Sequence, residues 1–172
     1  MFFNLRADLR RYGSFTPYLI FDQGIWAIIV FRFGSWVNAL RIPVLRLLLK
    51  IIAFFLFKMI EIITGISIPA SVKIGKGFYI GHFGGIIVHS DVQIGEGFSL
   101  GSGVVIGTRG LGSHGVPQIG NNVYIGVGAK VLGNIKIGNN VKIGANAVVT
   151  DNVPDNATVI GIPARILMKE KT

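Results

Sequence analysis

A parallel β-solenoid preceded by apolar helices is the fold this sequence predicts, and three observations predict it. First, thirteen aliphatic residues recur six apart: Ile74, Ile80, Ile86, then Val88, Ile94, Leu100, Ile106, then Ile119, Ile125, Val131, Ile137, Ile143, Val149. A period of six fits no α-helix and matches repeats that each supply a short strand and a tight corner. Second, another small or apolar residue stands four positions after most of them, as at Phe78, Val92, Phe98, Val104, Val123, Ala129, Ile135, Val141, Ala147 and Val153. Third, residues 1–65 carry none of this pattern and are strongly apolar.

The helical region comes first in the chain and is expected over residues 1–66. Two stretches read as helices, Thr16–Trp36 and, after Pro43, Val44–Gly65. In the second, Arg46, Lys50, Lys58 and Glu61 fall within an arc of about 120° at about 100° per residue, and the rest of the helix is apolar. Such a helix fits a membrane interface with its charges toward the headgroups, or burial against a partner subunit. A simple span is disfavoured, because about 20 predominantly apolar residues are needed and four charges interrupt this run. The opening MFFNLRADLRRYG has charges where the apolar core of a signal peptide would stand, so no signal peptide is expected.

The solenoid is expected over residues 67–172. Three hexapeptides make one triangular coil, and each inward aliphatic stacks on its equivalents in the neighbouring coils, so that a continuous core forms from units that could not fold alone. The register breaks twice. Between Ile86 and Val88 the frame slips by two residues, and between Ile106 and Ile119 seven extra residues push 108–118 out as a loop, TRGLGSHGVPQ. Interruptions of a regular scaffold are where function is usually placed.

Composition narrows the chemistry. There is no cysteine among 172 residues, so disulfides and thiolate catalysis are excluded. The net charge is +9, with eight Arg or Lys against two acids in residues 1–60 and nine against six in the remainder. These bases are dispersed among aliphatics, and no nucleic-acid recognition module is legible, so no nucleic-acid partner is expected.

The segments YIGHFGGIIVHSDVQIGEGFSLGSGVVIG, PQIGNNVYIGVGAKVLGNIKIGNNVKIGANAVVT and VIGIPARI resemble the left-handed β-helix of hexapeptide acyltransferases, in the branch of serine acetyltransferase. The resemblance reaches upstream through FRFGSW, covering the chain from about residue 26. It implies acetyl transfer from acetyl-CoA to a hydroxyl, with no metal, in a homotrimer whose active sites lie between neighbouring prisms. His82 stands at the family's catalytic histidine and is expected to act as general base, since an alcohol at its free pKa is a poor nucleophile. Gly126, Val127 and Ala129 fall along the pantetheine groove. Lys142 and Arg165 are candidates for the CoA phosphates, although exposed solenoid lysines such as Lys136 and Lys142 need no such role.

Departures from the serine enzymes bear on the acceptor. The aspartate before the catalytic histidine is replaced by Gly81, and the aspartate fifteen residues upstream by Ser67. Val116, not histidine, precedes Pro117, which leaves His114 to orient the acceptor, with Arg109 beside it in the loop. An upstream Asp-Pro pair is missing where this chain reads RRYGSFTP. A serine ammonium group wants carboxylates, so the pattern looks more like acetyltransferases of polysaccharide biosynthesis, acting on a sugar hydroxyl of a glycan or of a nucleotide- or lipid-linked precursor. That reading suits a cytoplasmic protein peripheral on the inner membrane face through residues 16–65, where each basic residue near an anionic surface contributes about 1 kcal/mol. The alternatives are serine O-acetylation and a non-enzymatic trimeric scaffold. A zinc hydratase on the same fold needs three converging imidazoles, and the spacing of His82, His89 and His114 does not match that family.

Overall fold

The computed structural model describes residues 2–13, 21–110, 112 and 114–167, and within them three α-helices and one 3-10 turn (Arg10–Tyr12) precede fifteen short strands. Helices α1 (Phe2–Leu9), α2 (Gln23–Asn38) and α3 (Pro43–Thr64) form the N-terminal region. Thr16–Ile20, the beginning of the first expected helical stretch, lie outside the described residues. Helix α2 starts later than that stretch, because the Asp22 side chain accepts the Ile25 amide at 3.1 Å and fixes the N-terminus there. Helix α3 opens on Pro43 and stops at Gly65, whose φ of 66° is a left-handed conformation suited to glycine. No described helix is long and apolar enough to cross a membrane. Helix α1 was not anticipated, since eight residues with two charges among them carry too little periodicity to read.

The strands stack as coils of a triangular prism. The first coil is β1 (Ile66–Ser67), β2 (Lys73–Ile74) and β3 (Tyr79–Ile80), and the second is β4 (Ile86–Val88), β5 (Gln93–Ile94) and β6 (Ser99–Leu100). The third is β7 (Val105–Gly107), β8 (Gln118–Ile119) and β9 (Tyr124–Ile125), and the fourth β10 (Lys130–Leu132), β11 (Lys136–Ile137) and β12 (Lys142–Ile143). A fifth has β13 (Val148–Val149), a single bridge from Val153 to Ile137, and β14 (Thr158–Ile160), after which β15 (Arg165–Leu167) turns back antiparallel to β14. Face I is β1-β4-β7-β10-β13, face II β2-β5-β8-β11 and face III β3-β6-β9-β12-β14-β15.

Register explains the two-residue slip. Ile86 pairs with Ile66, and Val88 with Ile106, so Val88 is the true member of the six-residue series and Ile86 belongs to the second inward position. Along the chain Ile80 is therefore eight residues from Val88, whereas Leu100–Ile106, Ile125–Val131 and Ile143–Val149 keep six. The two extra residues lie in the corner Gly81–Gly85. Thr108–Pro117 accounts for the other lengthened connection, at the corner between faces I and II.

The helices close the open end of the first coil. Asp8 and Arg32 are almost completely buried and bonded at 2.7 and 3.1 Å. Arg32 also donates to the carbonyls of Ile74 and Gly75, at 2.8 and 2.6 Å, and Asp8 accepts the Phe78 amide at 2.8 Å. The Tyr12 hydroxyl donates to the Ile80 carbonyl and accepts its amide. Burial pushes the pKa of this phenol up, so it stays neutral and able to serve both groups. Together these side chains occupy polar groups that a first coil must otherwise leave unpaired. Apolar packing accompanies them: Phe31 of α2 meets Phe78 edge-on at 6.2 Å, and Phe78 stacks on Phe98 at 5.8 Å. Gly34 permits this approach, since a Cβ there would lie 2.7 Å from that of Ala70.

Replacing Asp8 by alanine leaves a buried guanidinium without its counter-ion, and the expected loss is about 3–5 kcal/mol, measurable by urea unfolding at fixed protein concentration.

Candidate active site

His82 projects from the lengthened corner between faces III and I, which the chain enters through Gly81, bonded to the Leu100 carbonyl at 2.9 Å, and leaves through Gly84 and Gly85, both at positive φ. The imidazole is exposed and makes no hydrogen bond with the described residues, which leaves it available to an incoming hydroxyl. Phe83 beside it is half exposed. A Cβ on Gly81 would meet nothing closer than 3.6 Å, so glycine is not sterically required there.

Gly65 lies against this corner, where a Cβ would come within 3.1 Å of the Gly85 nitrogen, and it leads into Ser67 on face I. The Ser67 hydroxyl donates to Glu61 at 2.5 Å, and Lys58 binds the other carboxylate oxygen at 2.6 Å. These two bonds, that of Lys58 first, hold the Glu61 carboxyl below the usual carboxylate range. It therefore stays charged at neutral pH, and the bonds weaken only as pH falls through that lowered value. A carboxylate thus stands beside position 67 even though the residue itself is serine. Sequence reading placed Glu61 only in the polar stripe of a helix. The signal available was its spacing of six from Ser67 across a helix end.

The corners stacked on that of His82 hold the residues expected to meet the donor. Gly126 is buried and Val127 exposed in the third coil, and Gly126 approaches the next coil so closely that a Cβ would lie 2.7 Å from the Ala145 nitrogen. Ala129 differs from expectation. Its side chain is wholly inside the core and its amide and carbonyl bond Gly126 and Val105, so it shapes the corner instead of facing a ligand. Lys142 is exposed on face III of the fourth coil, and Arg165 is exposed on β15, opposite Ile160. With strands about 4.8 Å apart, the five steps from β3 to β15 on face III span about 24 Å along one side of the prism, with His82 at one end. An elongated thioester laid along it would present its acyl group to the histidine and its anionic end to the two cations.

The other expected residues occupy a different edge. The connection 108–117, one residue shorter than the expected loop because Gln118 pairs in β8, leaves between faces I and II and folds along that edge: the Arg109 guanidinium donates to the Thr150 carbonyl at 2.6 Å and lies 4.0 Å from Asp151, while Gly115 packs on Asn134. Arg109 is therefore already engaged in holding the loop. His114 is exposed. His89 lies one coil below, its Nδ1 accepting the Asp91 amide, with its Cβ 3.5 Å from where a Cβ of Gly107 would stand. Within one chain His82 does not share an edge with His114 or Arg109. No group of three metal-ligating side chains occurs among the described residues. An open groove of about 830 Å3 runs over face II between Lys73, Gln93, Gln118 and Lys136, and includes neither His82 nor His114.

Residues 117–151 match the family model described as bacterial transferase hexapeptide, six repeats. The chain is 34% identical to a serine acetyltransferase of Synechococcus elongatus over 98% of its own length and 70% of that protein, and 35% identical to the Escherichia coli K12 serine acetyltransferase over 90% of its length and 54% of that protein. Among solved structures it is similar to the serine acetyltransferase of Brucella abortus, with a TM-score of 0.82 and 31% identity over 95% of this chain and 67% of the other. A serine acetyltransferase in complex with CoA is similar at a TM-score of 0.79 and 32% identity, over 95% of this chain and 66% of the other.

Replacing Arg109 by alanine removes the tie between the loop and Thr150. Hydrogen exchange across residues 108–117 is expected to accelerate severalfold, while exchange in β9 and β12 stays unchanged.

Proposed function

The chain belongs to the serine acetyltransferase family of hexapeptide-repeat transferases and is an acyltransferase with acetyl-CoA as donor, and from that premise we propose that it acetylates the hydroxyl of serine. The names of the relatives support this acceptor, in place of the polysaccharide hydroxyl preferred from the sequence. One observation carries it into the site. Glu61 brings a carboxylate to Ser67 at 2.5 Å, which offsets one of the acids whose loss argued against an ammonium-bearing substrate.

In the proposed reaction the His82 imidazole takes the proton of the acceptor hydroxyl as its oxygen attacks the thioester carbonyl. The tetrahedral intermediate then expels the CoA thiolate, which receives that proton from the imidazolium, and the products are an O-acetyl ester and free CoA. The backbone of Gly126 and Val127 would lie along the pantetheine arm, with Lys142 and Arg165 toward the phosphates. His114 and Arg109 would come from a neighbouring subunit, because they stand on another edge of the prism. This separation supports the homotrimer that the family resemblance implies.

A second reading, transfer to a sugar hydroxyl, is favoured by Gly81: the corner carries no acid next to His82 although a Cβ would fit there. A peripheral membrane location for either enzyme is supported by α3 alone.

Thiol release from acetyl-CoA, with serine and with a panel of sugars and nucleotide sugars, separates the two readings. Serine-dependent release supports the first, and release with a sugar alone replaces it by the second. Substituting His82 by alanine is expected to lower kcat/KM by about 10²–10⁴ with the active acceptor. An unchanged rate would remove His82 from the chemistry.

A further inference from the structure

Helix α3 presents an apolar face that nothing else in the described chain covers. Its inward side, including Ala53, Leu56 and Ile60, is partly buried. At about 100° per residue, Val44, Leu48, Ile51, Phe55, Met59 and Ile62 fall within an arc of about 80° on the outer side. All six are more than half exposed, Ile62 at 82% and Val44 at 72%. The face runs the length of a helix of 22 residues, or about 33 Å.

Charge identifies the occupant. Arg46, Lys50 and Lys58 form a stripe beside this face, and Glu61, the acid among them, is engaged with Lys58 and Ser67. Arg6, Arg10 and Arg41 of the same N-terminal region are also exposed, whereas Asp8 is buried with Arg32. A second copy of the chain brings the same net charge of +9 and few acids to oppose these bases. An anionic bilayer offers both hydrocarbon for the apolar face and phosphates for the stripe. We infer that α3 lies in the surface of a membrane containing anionic lipids, with Ile51 and Phe55 in the acyl boundary and Arg46 and Lys50 among the headgroups. The helix lies on the membrane and does not cross it, which agrees with the interruption of its apolar run by charge. This surface is independent of which hydroxyl is acetylated.

Flotation of the full chain tests it, with vesicles of phosphatidylcholine alone or mixed with phosphatidylglycerol. Co-flotation with the anionic vesicles is expected, and the partition coefficient should fall by about fivefold for each base removed near the surface, so that Arg46→Ala with Lys50→Ala lowers it by about 25-fold. Raising the salt should weaken binding as well. Ile51→Glu with Phe55→Glu should abolish flotation while sedimentation velocity shows the oligomer unchanged. These four positions lie outside the proposed catalytic machinery, so acetyl transfer in the absence of vesicles should persist in both variants. Absence of flotation, equal binding to neutral vesicles, or dissociation of the oligomer by the Ile51 and Phe55 substitutions would overturn the inference, the last by assigning the face to a second copy.

Discussion

The buried pair Asp8–Arg32 is the interaction on which the rest of the molecule depends, because a solenoid has an end. Inside the prism each strand passes its hydrogen bonds to the coil above and below. The first coil has nothing below it, and its carbonyls at Ile74 and Gly75 and its amide at Phe78 receive Arg32 and Asp8 instead. Burying two charges is costly unless every donor and acceptor is used, and here the guanidinium and the carboxylate are bonded both to each other and to that coil. One ion pair thus joins α1, α2 and the start of the solenoid, and α2 in turn packs against α3, whose terminal Gly65 lies against the corner of His82.

The solenoid was legible because its physics repeats. One inward aliphatic every six residues is a one-dimensional pattern, and thirteen occurrences leave little room for another fold. The placement of Ile86 shows where one dimension is insufficient: by spacing it continues Ile74 and Ile80, but register assigns that role to Val88. The strand choice turns on cross-coil pairing, which spacing along the chain does not encode. Helix α1 and the clamp made by Tyr12 were illegible for the same reason, since their partners lie about 70 residues away and are mostly backbone atoms.

The candidate site was legible in its parts but not in its arrangement. His82 and the loop of His114 were both marked by register breaks, and each break proves to be an enlarged corner that leaves the strands on either side in register. What spacing could not convey is that the two corners lie on different edges. Nor could it convey that Ala129 turns into the core, or that Glu61 reaches around a helix end to Ser67. The missing acids were counted along the sequence, whereas carboxylates act through space.

The reversal of β15 has a consequence for self-assembly. A parallel solenoid that simply stopped would offer a template on each of its faces, and chains could add end to end into a filament. On face III the terminal strand runs against the grain of all the others, paired with β14 from Thr158 to Ile160. Its outer edge no longer matches the parallel ladder of another molecule's first coil, which is in any case occupied by Tyr12. A fold built by repetition is in this way kept finite along that face.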